Sequence, residues 1–145
     1  MTRSLIYGAT KVDETSGAYA AVASLEQFQW KSRVIVIFSD DDNSRAVRQE
    51  NQLLGDRDGL AERDIVVLRV RGSTVLPLFG TGQGLDGDEV RRDLQATEPG
   101  EFAAVLVGKD GTVKLRVSEP ISDGELFAIV DSMPVRAAEA FQPDQ

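Results

Sequence analysis

Cysteine and histidine are both absent from this chain of 145 residues, and the two gaps remove most of the familiar catalytic repertoire. Without thiols there is no disulfide, no thiolate nucleophile, no dithiol redox couple and no cysteine-ligated zinc or iron–sulfur cluster. Without imidazole there is no Ser-His-Asp or Cys-His catalysis and no histidine-ligated metal, and the usual general base of neutral pH is missing. Any chemistry falls to Asp, Glu, Lys, Arg, Tyr, Ser or Thr. Long apolar runs are lacking too. None approaches the roughly 20 residues that a spanning helix needs, and the opening "MTRSLIYGATKVDETSG" has no apolar stretch of the secretory kind. As written, the chain reads as a soluble cytoplasmic protein, and a mature exported form, whose signal would leave no trace, stays open.

A basic stripe is the next thing missing. The net charge is −8, with eight acids against four bases over residues 39–64 and six against two over residues 85–101. Surfaces of that sign repel phosphate backbones and anionic membranes, so neither nucleic acid nor membrane is expected as a partner.

What is present suits one folded domain. Hydrophobic residues make up 41% and charged residues 28%, near the globular average, and the length suffices for one core. Residues 1–16 are polar and aperiodic and read as a flexible lead, residues 17–141 as a single domain, and residues 142–145 as a tail. Ala18 to Phe28 carries helix formers with Val22, Leu25 and Phe28 at helical spacing. "RVIVIF", Arg33 to Phe38, is a continuous apolar run suited to a strand covered on both faces. Asn43 to Leu54 reads as a helix with a narrow stripe of Val47, Leu53 and Leu54, closed by Gly55. "DIVVLRV", Asp64 to Val70, is a second strand, parallel to the first. "GTGQGLDGD" reads as a flexible glycine-rich insertion, with Asp86 or Asp88 capping a short helix that carries Val90 and Leu94. In "FAAVLVGKDGTVKLRV" the Asp-Gly pair marks a tight antiparallel hairpin. Ser122 and Glu125 stand at capping-box spacing before a helix bearing Leu126, Phe127, Ile129, Val130 and Met133, which Pro134 stops.

This order resembles thioredoxin-like folds, and "LEQFQWKSRVIVIF", "GLAERDIVVLRV", "VLVGKDGTVKLR" and "IVDSMPVRAAE" resemble a bacterial family of unknown function, domain-of-unknown-function family 4174, with relatives in animal extracellular-matrix proteins. The resemblance implies an α/β, three-layer sandwich whose central mixed sheet runs from a parallel βαβ unit into an antiparallel hairpin and a C-terminal helix. It supplies no reaction to transfer. Its motif residues here are Gly108, Lys109, Asp110, Gly111, Lys114, Arg116, Met133, Pro134 and Arg136. Where thioredoxins keep their CxxC, this chain has "SDDDNS", and in place of the cis-proline before the hairpin strand stands "PGEFAAV", with Pro99 too early. Thiol redox activity is therefore excluded.

The ligand-loop candidates are Ser39, Asp40, Asp41, Asp42 and Asn43. Their plain reading is helix capping, since aspartate satisfies free N–H groups of a first turn and complements its dipole. The sharper reading is a divalent-cation site using Asp40 and Asp42, because carboxylates are what hard cations prefer; that site would serve a phosphoryl-transfer enzyme or a cation sensor. The EF-hand spacing is absent. "IFSDDDNS" only loosely resembles the phosphatase DxDx(T/V) motif, and the strand end "RVRG" lacks the aspartate that a receiver domain would phosphorylate. "GTGQG" fails the dinucleotide pattern. Trp30 and Met133 read as core, Lys109 and Asp110 as turn residues, and Arg116 as a sheet-face residue paired with an acid. The reading that follows is a non-redox binding module for an unknown protein or small ligand. No cofactor is expected beyond that candidate cation, and the oligomeric state is not specified.

Overall fold

The computed structural model describes residues 21–94 and 100–133. The expected lead, the 142–145 tail, Pro99, Pro134 and Arg136 lie outside them. Five strands form one mixed sheet: β1 (Arg33–Phe38), β2 (Ile65–Arg71), β3 (Thr74–Phe79), β4 (Ala103–Val107) and β5 (Val113–Val117), in the order β3-β2-β1-β4-β5. β1 is parallel to β2 and antiparallel to β4, and every residue of β1 is buried. That position explains its unbroken apolar sequence, since a central strand covered on both faces has no solvent side to alternate toward.

Alternate residues of β1 serve two cores. Ile35 and Ile37 pack with Ala46 and Leu53 of α1 (Ser44–Leu54), Leu60 of α2 (Arg57–Glu62), and Leu126, Phe127 and Val130 of α4 (Asp123–Asp131). Val34, Val36 and Phe38 pack with Leu25 and Phe28 of a 3-10 helix, Ala23–Phe28, and with Val90 and Leu94 beside α3 (Gly87–Asp93). Two helical layers thus enclose one sheet. The strand sequence β1, β2, β4, β5, with its intervening helices, is the thioredoxin arrangement, and β3 is an added edge.

Several local expectations are corrected. Within the described residues, the helical stretch expected over Ala18 to Phe28 is a 3-10 helix, Ala23–Phe28. The buried face of α1 is Ala46, Gln49 and Leu53, while Val47 is 44% exposed. Gln49 was hidden from a hydrophobic pattern because it is polar, yet it is fully buried: its amide nitrogen donates to the Ile121 carbonyl at 2.8 Å and its amide oxygen accepts from the Ile121 N–H at 2.9 Å. Gly55 closes α1 with a right-handed φ of −69°, so its conformational freedom is not used. The next helix, α2, begins at once, capped by Asp56, which accepts from Gly59 N–H at 2.9 Å. β3 was concealed by Pro77, which cannot donate to a ladder and is tolerated here because β3 is an edge. The glycine-rich stretch after it is pinned rather than loose: Gln27 and Gln83 exchange two hydrogen bonds, at 2.8 and 3.1 Å, and Leu85 packs on the core.

The hairpin forms over a longer loop than a two-residue turn. Gly108 N–H reaches Thr112 O at 2.9 Å, and Gly111 takes the positive φ, +85°. At α4 the capping box is complete, with Ser122 Oγ accepting from Glu125 N–H at 3.1 Å and Glu125 Oε1 accepting from Ser122 N–H at 3.3 Å.

Candidate functional site

The carboxyl end of β1 opens into Ser39–Asn43 and then α1. Asn43 occupies the cap position with φ 62° and makes no side-chain cap bond, so the task passes to the aspartates before it. Asp40 is folded under the helix, 8% exposed. Its Oδ2 accepts from Arg45 N–H at 3.0 Å and Ser44 Oγ–H at 3.3 Å, and its Oδ1 accepts from Ala46 N–H at 3.2 Å. Burial alone would raise the Asp40 pKa, but several hydrogen bonds, led by those from the Arg45 and Ala46 N–H groups, together outweigh it and hold the carboxyl below its ordinary range. Asp42 Oδ1 accepts from Ser44 N–H at 3.0 Å, while the Asp41 side chain stays exposed. The three neighbours therefore play three different parts.

The loop is stitched to the segment before β4. Asp40 bridges Gly100, and Asp41 N–H donates to Gly100 O at 3.0 Å. Gly100 has φ +93° and lies so near the Asp41 carboxylate that a Cβ would collide with it. Beneath the loop lies a residue that hydrophobic patterning passed over, Arg69 of β2. Its Nε donates to Ser39 Oγ at 2.9 Å, its Nη2 to Asn43 Oδ1 at 2.7 Å, and its Nη1 to the Glu50 carboxylate. A lone arginine inside "DIVVLRV" was the available signal, since a charge in a buried strand needs partners.

The arrangement is inward-facing. Both oxygens of Asp40, one of Asp42, and the Ser39 and Asn43 side chains are engaged with the chain itself. Among the described residues, no three acidic side chains stand together as a ligand set for a metal ion.

The family-motif residues gather elsewhere. Because β1 and β4 are antiparallel, with Val34 opposite Val107 and Phe38 opposite Ala103, the "GKDG" turn lies at the other end of the sheet, about 20 Å away along the strand. Asp110 organises that turn, accepting from Thr112 N–H at 3.0 Å, Thr112 Oγ1–H at 2.8 Å and Lys114 Nζ at 2.9 Å. Partial burial works against its charge, and these donors nevertheless hold its carboxyl below the usual range. Lys109 Nζ donates to Asp64 at 2.7 Å. Gly108 packs against the Lys114 side chain, and Gly111 against Ala21 and Gln29. The Arg116 guanidinium donates to the Leu94 carbonyl at the end of α3 rather than to the expected acid, and burial lowers its pKa. Met133 packs at the core's margin, as read, but Trp30 stands 71% exposed instead of joining the core.

The topology defines a thioredoxin-like fold, here without thiols, and solved structures agree. The chain is similar to a reduced 2-Cys peroxiredoxin of Plasmodium vivax, with 21% identity, a TM-score of 0.54 and coverage of 80% of this chain and 84% of that one. It is similar to thioredoxin peroxidase I of Plasmodium yoelii, with 21% identity, a TM-score of 0.56 and coverage of 83% and 82%. Residues 24–139 match the model of a domain of unknown function (DUF4174), and the chain belongs to that family. A curated relative is coiled-coil domain-containing protein 80 of Danio rerio, 30% identical over 132 residues that cover 79% of this chain and 15% of the relative. The chain therefore spans a small fraction of that protein's length.

Proposed function

We propose that this domain is a non-redox binding module on a thioredoxin-like scaffold, acting on a protein or small ligand through its surface rather than through covalent chemistry. The observation that carries the reading is the internal engagement of the β1–α1 loop. Asp40 is the buried carboxylate best placed for catalysis in a thioredoxin-like protein, and its oxygens are taken up by Ser44, Arg45 and Ala46. A general base or nucleophile needs a lone pair that a substrate can reach.

Turnover assays with a peroxide, an aryl phosphate, an aryl ester and a casein substrate, each with and without Mg²⁺, Ca²⁺ or Mn²⁺, test the reading. The expected rates match buffer, and saturable turnover abolished by Asp40→Asn would overturn it. A melt in millimolar cation addresses the carboxylates separately. A bound ion at 100 times its Kd adds about 2.7 kcal/mol, so a rise in Tm that disappears in an Asp40→Asn, Asp42→Asn variant would make the loop a cation site instead.

A further inference from the structure

Among the described residues three large apolar side chains stand exposed: Trp30, Val47 and Leu76. Val47 on α1 and Leu76 on the edge strand are single aliphatics of a kind that every surface carries. Trp30 is different because of its backbone. Its φ is 67°, a left-handed conformation suited to glycine or asparagine and a true outlier for a bulky residue. The turn is well fixed: Trp30 N–H donates to Lys109 O at 2.6 Å, and the N–H groups of Lys31 and Ser32 both donate to Phe28 O at 2.9 Å. Glycine would close the same turn with less strain. Instead the chain places its one tryptophan there, with 71% of it in solvent. Most of the indole takes no part in the core and its left-handed backbone adds strain, which points to a use outside the domain.

The surrounding charge indicates the partner's chemistry. Of the four lysines in the chain, Lys31, Lys109 and Lys114 lie at this end of the sheet. Two nearby carboxylates are engaged, Asp64 by Lys109 and Asp110 by Lys114 and Thr112, while Glu26, one turn before Trp30, is exposed. Lys31, next to Trp30 in the chain, is exposed, a positive point on a chain of net charge −8. We propose that Trp30 and Lys31 form the docking point for a protein partner, gripping an aliphatic or aromatic side chain flanked by a carboxylate in a short exposed segment. The proposal rests on the binding-module reading. A long polyanion fits less well, since the rest of this acidic chain repels it. The Trp30 N–H is occupied by Lys109, so recognition runs through the indole face and the ammonium rather than through strand pairing.

Because Trp30 is the sole tryptophan, its emission reports directly on the site. Immobilised protein is used to select from a random peptide display library. The expected winners carry Asp or Glu next to Leu, Phe or Tyr, and as labelled peptides they shift Trp30 emission saturably to the blue. Trp30→Gly should weaken them about thirtyfold, the loss of a tryptophan contact of hot-spot size, and Lys31→Glu should weaken them as well. Trp30→Gly should leave Tm unchanged or higher, whereas a purely structural tryptophan would lower it. Peptides that bind without moving Trp30 emission, or that bind Trp30→Gly equally well, overturn the site while leaving a binding module elsewhere on the surface. A saturable emission shift with dextran sulfate but with no peptide overturns it in favour of a polyanion, and so does selection of basic sequences or of none.

Discussion

The two ends of the sheet offer a natural experiment. Each has a carboxylate tucked under a turn: Asp40 beneath the start of α1, and Asp110 inside the β4–β5 loop. Each is held below its ordinary pKa by donors that outweigh its burial. The β1–α1 end looks functional in sequence, with three consecutive acids where thioredoxins keep their thiols, yet Ser39, Asp40 and Asn43 turn their polar atoms onto the chain itself. The other end looks like a plain hairpin, yet beside it the chain exposes its tryptophan on a strained backbone. Density of charge in the sequence thus marks local folding demands here, while strain combined with exposure marks a residue that folding alone does not require.

Asp40→Ala is the largest expected break in this symmetry. It leaves the N–H groups of Arg45 and Ala46 without their acceptor in a buried place, and we expect a loss of about 2 kcal/mol in urea or thermal unfolding, the upper range for a lost cap. Asp40→Asn should lose less, because the amide oxygen still accepts. The pH dependence follows from the direction of the shift. A carboxyl whose folded pKa is lowered contributes stability that is fully present above its unfolded value, near 3.9, and is lost as pH falls through the folded value. The stability gap between wild type and Asp40→Asn should therefore be constant from pH 7 down to about 4 and close below it. A gap that instead widened in acid would contradict the assignment.

How much of this was legible in the sequence depends on the kind of signal. Strands that serve two cores announce themselves by apolar, β-branched runs, which is why β1 and β2 could be read, and the hairpin was marked by its Asp-Gly turn. The capping box of α4 has a spacing rule and could be read as well. β3 could not, because an edge strand carries fewer apolar residues and Pro77 argues against any strand in isolation. Gln49 and Arg69 were missed for one reason: both are polar groups, one buried and one half-buried, whose partners, Ile121 and the Ser39–Asn43–Glu50 set, come from distant sequence. For the aspartate triplet, composition could name capping and cation binding but could not distribute the roles, since Asn43 takes the cap position while Asp40, three residues earlier, supplies the acceptors. Trp30 was misread because an aromatic between a helix and a strand is usually core, and nothing in a sequence reveals a positive φ.

Asp110→Ala probes the opposite end and should cost less than Asp40→Ala, about 1 kcal/mol. Three donors lose their acceptor there, but the group is roughly one-third exposed, so water replaces part of what is lost and the ion pair with Lys114 is screened. A loss that matched or exceeded that of Asp40→Ala would mean that the hairpin turn, not the helix cap, is the more demanding of the two constructions.

The smallest effect is expected at Asp41, and it sharpens the comparison most directly. Asp41 stands between the two capping aspartates, is exposed, and uses its backbone rather than its side chain to hold Gly100. Asp41→Asn should leave stability within about 0.5 kcal/mol of wild type, the usual range for a surface change, and should change no melt performed with or without cation. The same substitution would be costly if all three carboxylates acted as one cluster, because removing the Asp41 charge would then alter cation response together with stability. Equal melts for wild type and Asp41→Asn across the cation series, beside the large loss at Asp40, would set the Asp41 side chain apart from its two capping neighbours.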